Sequence, residues 1–148
     1  MRTIRNRLPT VARLFLGLVF TVFGLNFFLH FLPTPPAPPR AAAFAGALFG
    51  SGYLFPLLKT TEVLAGIALL SGRLVPLALA VLAPIIVNIL GFHLFLAPSG
   101  LAIPLAVLVA ELYLARTYRA AFAPMLRWRT PLAHRAPAVA EQPLRVAA

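Results

Sequence analysis

Cysteine and aspartate are both missing from this chain of 148 residues, and only three carboxylate side chains, all glutamate, stand against thirteen lysines and arginines. The lack of cysteine excludes disulfides, thiol redox chemistry, iron–sulfur clusters and thiolate-bound zinc within the chain itself. Any electron-transfer role needs a bound cofactor or a partner subunit, and no metal site is expected. The shortage of charge has a wider consequence. Hydrophobic residues make up 61% of the chain and charged residues 11%, which leaves too little polar surface to cover a water-soluble globule of this size. A membrane protein is expected, with the lipid bilayer as its first partner. The net charge of +10 would suit nucleic acid, but the arginines gather between and beyond the apolar runs, as in chains that keep their positive loops inside the cell. No nucleic-acid partner is expected.

What is present is a series of long apolar stretches. The first runs from Val11 to Leu32, interrupted only by Arg13, Thr21, Asn26 and His30, and matches the roughly 20 residues needed to cross a bilayer. It exceeds the apolar core of an ordinary secretory signal, so it is read as retained. The run "PTPPAPPR" (Pro33 to Arg40) cannot continue a helix, because each proline lacks an amide donor and restricts its predecessor. Residues 41–52 are small and apolar, and either form a short interfacial helix or lengthen the next span. Further spans are expected at about 54–70, 74–96 and 101–118, with Pro56 tolerated in a first turn, Ser71-Gly72-Arg73 as a stop, and Pro84 bending the third rod. Residues 121–148 read as a basic, flexible tail.

The fold class expected is all-α: an integral membrane antiparallel four-helix bundle. Arg2, Arg5, Arg7, Arg13, Arg73 and the tail arginines fall on one side and Arg40 alone on the other, which puts both termini in the cytoplasm. Trp128, between Arg127 and Arg129, suits a headgroup anchor. Gly17 and Gly24 on the first span, Gly66 on the second, and a stripe of Ala102, Ala106 and Ala110 on the fourth are candidate packing positions, where small residues let helix backbones approach.

Within the apolar runs lie a few polar residues. At about 1.5 Å rise per residue, Asn26 and Asn88 stand roughly 22 and 21 Å from the cytoplasmic ends of their spans. On the same scale Lys59, Glu62 and Glu111 lie roughly 22, 18 and 15 Å inward from the outer ends of theirs. All four spans thus contribute a polar group to one slab. Lys59 and Glu62 share a helical face and should pair, facing the interior. Glu111 then adds an unbalanced negative charge, which requires a proton, a cation or a protonated histidine nearby. Asn26 and His30, four residues apart, share a face one turn from each other. His30 and His93 lie at matching depth, but Asn88 and His93 differ by roughly 140° around a helix, which counts against paired histidine ligation of haem.

The segments "RLFLGLVFTVFGL" (Arg13 to Leu25) and "TEVLAGIALLSGR" (Thr61 to Arg73), with the histidine late in the third span, resemble the DoxX-like family of small four-span bacterial membrane proteins over about residues 11–120. Glu62 looks like the glutamate opening that family's E-x-x-x-G segment, and Gly66 and Gly72 match its glycines. The resemblance implies the bacterial cytoplasmic membrane and a link to quinone-dependent sulfur oxidation or membrane redox complexes. The chain departs from many relatives in carrying Asn26-Phe27-Phe28 where they place a lysine, and in replacing their glycine- and aspartate-bearing C-terminal motif with the basic tail.

Three functions compete on these grounds. The first is a quinone-interacting or accessory redox subunit, in which Lys59, Glu62, His30 and Asn26 supply polar contacts beside aromatic walls such as Phe23 and Phe92. The second is a proton-linked carrier built on Glu111 and the Lys59/Glu62 pair, which with so few spans requires a homodimer. The third is a structural assembly subunit whose polar groups only fix helix register.

Overall fold

The computed structural model describes residues 2–33 and 36–128. Its elements are α1 (Arg2–Leu29), α2 (Pro39–Gly50), α3 (Leu54–Ser71), α4 (Val75–Phe95), a 3-10 turn (Pro98–Gly100), α5 (Ala102–Thr117) and the short α6 (Arg119–Phe122), with no strand among the described residues. The stretches Arg7–Leu29, Leu54–Ser71 and Val75–Phe95 are each long and apolar enough to cross a membrane. The expected fourth stretch at 101–118 forms α5, a helix of only 16 residues, because the 3-10 turn occupies Pro98–Gly100 and the helix yields at Tyr118. By length it falls short of the roughly 20 residues of a full span.

Helix boundaries follow local chemistry. α1 continues toward the N-terminus through Pro9, further than its apolar run. At its other end it stops at Leu29, three residues short of the expected boundary, where His30 turns left-handed (φ 52°) and the Asn26 side-chain oxygen accepts the Leu32 amide at 2.6 Å. α2 resolves residues 41–52 as a separate helix, opened by Pro39 in its first turn and followed by Gly52 at φ 75°. α3 ends on Gly72 at φ 72°; the Gly72 and Arg73 amides donate to the carbonyls of Leu69 and Ala68, both at 3.1 Å. This is the hydrogen-bond pattern of a glycine-terminated helix.

α1 packs on α3 and α5, and α4 packs on the same two helices. The ring of contacts sets α3 and α5 on a diagonal, around a core that includes Leu16 and Phe20 of α1, Leu69 of α3, Leu79 and Leu82 of α4, and Leu114 of α5. Gly17, Gly24 and Gly66 are buried where α1 meets α3. A Cβ on Gly66 would lie 2.8 Å from the Thr21 backbone nitrogen, and one on Gly17 would lie 3.0 Å from the Gly66 carbonyl oxygen. The two backbones are therefore as close as glycine permits. The alanine stripe of α5 behaves differently. Ala102 and Ala106 are exposed and only Ala110 is half-buried, since four-residue spacing advances about 40° around the helix at each step. α5 buries Pro104, Val107, Glu111 and Leu114 instead.

The expected tail from residue 121 begins within ordered structure: α6 carries Phe122 onto the core, and Trp128 is exposed. Residues 129–148, with the rest of that tail, lie outside the described residues.

Candidate functional site

In α3, Lys59 and Glu62 are the only charged residues. Three positions apart, they meet on one face: Nζ of Lys59 donates to Oε2 of Glu62 at 2.8 Å and to Oε1 at 3.1 Å. The Glu62 side chain is 2% exposed and that of Lys59 is 18% exposed. The carboxylate is thus enclosed while its ammonium reaches the edge. An ammonium carries three protons, and Glu62 accounts for two contacts, leaving one donor for another oxygen. The Lys59 nitrogen also stands 5.7 Å from the centre of the Phe55 ring, and Phe55 packs against Phe27 of α1 at 5.1 Å. Phe27 in turn meets Phe28 and Phe49. A charged pair with one free donor therefore borders an aromatic cluster assembled from α1, α2 and α3.

Glu111 stands apart from that pair. It is buried on α5, 5% exposed, and its Oε2 has no hydrogen-bond partner among the described residues. It lines an open pocket of about 130 Å³ with Leu79, Ala80 and the exposed Ala83 of α4, Ala115 of α5, and Phe122 of α6. α3 and α5 face each other across the diagonal, and no hydrogen bond joins Glu111 to Lys59 or Glu62.

Asn26, Asn88 and His93 make hydrogen bonds within their own segments, whereas the buried Thr21 hydroxyl has no partner among the described residues. Asn26 closes the turn after α1 through Leu32. His30 is exposed and outside the helix, so the shared face expected for Asn26 and His30 is not formed. Asn88 is exposed and donates from Nδ2 to the Pro84 carbonyl one turn back at 2.9 Å. Nδ1 of His93 lies 2.9 Å from the Ile89 carbonyl; a carbonyl only accepts, so Nδ1 is the donor in this bond. A Cβ on Gly100 would lie 2.8 Å from the His93 ring, which places that ring against the turn between α4 and α5. Of the expected aromatic walls, Phe92 faces a groove of about 300 Å³ between α2 and α4, beside Phe44, Asn88 and Gly91, and Phe23 is exposed. No group of three potential metal ligands occurs among the described residues.

One contact escaped sequence reasoning. Arg13 does more than mark the edge of an apolar run: its Nη1 donates to the Leu69 carbonyl at 2.6 Å and reaches that of Leu70 at 3.4 Å. The available signal was an arginine on α1 at the level where α3 stops. No family model, curated protein or solved structure matches the chain.

Proposed function

We propose that the chain is a DoxX-like membrane protein that binds a lipid-soluble molecule of the quinone class at the Lys59–Glu62 pair. In this reading it is an accessory subunit of a redox complex in the bacterial cytoplasmic membrane, with α1, α3, α4 and α5 as an antiparallel four-span bundle and both termini in the cytoplasm. The observation that carries the reading is the free donor of Lys59 beside the Phe55 ring, which packs on Phe27. A quinone headgroup offers a flat ring for aromatic contact and carbonyl oxygens for an ammonium, and Glu62 holds that ammonium in position. Reduction of such a molecule requires electrons from a partner subunit, since the chain has no cysteine and no redox group of its own.

The test is a solvent extract of the purified protein, read by absorption spectrum and mass spectrometry, together with binding of an added short-chain quinone. Quinone retained by the wild type and lost from Lys59→Met supports the reading. An extract without quinone, coupled with equal binding to both proteins, refutes it.

A second reading, a proton-linked carrier working as a homodimer, is favoured by the unpartnered carboxyl of Glu111. Solute uptake into proteoliposomes that disappears in Glu111→Gln distinguishes it from the first.

A further inference from the structure

The cavity beside Glu111 has one polar feature in an otherwise apolar lining. Leu79, Ala80, Ala83, Ala115 and Phe122 offer no hydrogen-bonding side chain, while Oε2 of Glu111 is fully enclosed and unpartnered. Nothing in the packing of α4 against α5 calls for a carboxyl there, and leaving such a group unsatisfied costs about 1–3 kcal/mol or more. The space itself comes from three alanines, where larger side chains would have closed it. At about 130 Å³ it has room for a small head group, and it is open to the outside of the bundle at the exposed Ala83. The occupant must therefore be small at its head, apolar along its body, and able to donate to a carboxyl oxygen.

We infer that this cavity is a binding site for the head of a lipophilic amine, seated with its nitrogen on Glu111. An alcohol could hydrogen-bond to the protonated acid but would bring no charge. An ammonium supplies both, and charge-assisted hydrogen bonds are about twice as strong as neutral ones. Among the described residues the one ion pair is Lys59–Glu62, so no described side chain supplies a cation to Glu111. The chemistry also avoids moving charge through lipid. An uncharged amine arriving from the acyl region accepts the carboxyl proton: the N–H bond forms as the O–H bond breaks, leaving an ammonium–carboxylate pair with no change in net charge. The cavity then holds either a proton alone on Glu111 or the protonated amine. The inference rests on α4, α5 and α6 and is independent of the quinone reading at Lys59.

Saturable binding of tritiated decylamine to the full chain in phosphatidylcholine nanodiscs, with empty discs subtracted, tests it. The wild type should bind saturably and decanol should not displace the amine. Glu111→Gln, which keeps the shape and removes the acid, should weaken binding at least about tenfold. Ala83→Leu, which fills the cavity and keeps the acid, should do the same. Lys59→Met/Glu62→Leu should leave binding intact, so failure of the quinone reading cannot be mistaken for failure here. No saturable binding, undiminished binding in Glu111→Gln, or displacement by decanol as readily as by decylamine overturns the proposal.

Discussion

Arg13 and Leu69, separated by 56 positions in sequence, are joined by a 2.6 Å hydrogen bond from the guanidinium to a backbone carbonyl in the last turn of α3. The final carbonyls of a helix have no partner within it, and the negative end of the helix dipole favours a cation there. Gly72 makes room for this contact, because a Cβ at that position would strike the Arg13 guanidinium. Arg13→Met, which keeps the apolar stem, should lower stability by about 1–2 kcal/mol. Arg13→Lys should recover only part of this, since lysine lacks the planar fork. Denaturant titration of the purified protein, followed by circular dichroism, measures both.

Breaking the Lys59–Glu62 pair from one side leaves its partner buried without compensation. Lys59→Met alone should cost about 3–5 kcal/mol, whereas Lys59→Met/Glu62→Leu should lie within about 1 kcal/mol of the wild type. A double-mutant cycle over the same titrations gives the coupling. Singles no worse than the double would show that the pair is not enclosed as described.

Glycine positions should separate sharply. Gly66→Ala brings a methyl against the Thr21 backbone, which cannot swing aside, while Gly91→Ala meets nothing within 4 Å. The first should destabilise by about 1–3 kcal/mol through overpacking, and the second should be neutral or slightly stabilising through helix propensity. Thermal melts of the two variants side by side decide this.

The enclosed carboxyl of Glu111 should be visible to infrared spectroscopy at neutral pH, as a protonated acid when the neighbouring cavity is empty. The band should vanish in Glu111→Gln and persist in Glu62→Gln. Its loss in Glu62→Gln instead would assign the proton to the other glutamate.

Absence of cysteine makes the proposed topology simple to check by single substitutions. With both termini in the cytoplasm, Ala120→Cys should be shielded from a membrane-impermeant maleimide in intact cells, and Ala37→Cys in the proline loop should react. The reverse pattern would invert the orientation.

Much of the helical layout was legible because proline and glycine punctuate it. Gly72 and Pro56 mark the ends of α3 within a few residues, whereas α2 begins at Pro39, inside the stretch Pro33 to Arg40 that reads as loop, because proline is tolerated in a first turn although it cannot continue a helix. The Lys59–Glu62 contact was also legible, being set by helical spacing alone. The assembly of a single polar slab was not. Depth along each rod can be counted from sequence, but rotation and neighbour order cannot, and the diagonal placement of α3 and α5 is what keeps Glu111 from the pair. His30 was misread because a histidine in an apolar run gives no sign of a left-handed backbone, which here depends on Asn26 folding back to Leu32. Arg13 was read for its charge; its partner is a carbonyl, a group every residue carries and no sequence pattern announces.

α5 has 16 residues, a rise of roughly 24 Å against a hydrocarbon thickness of roughly 30 Å. In the proposed four-span arrangement, a rod this short would draw the leaflets toward each other or pull Arg116 and the headgroups inward to meet its ends. The pinch would fall on the side of the molecule that holds Glu111, shortening the path between that carboxyl and water. Thinner membranes would relieve the mismatch, so the protein should partition toward them when given a choice of lipid.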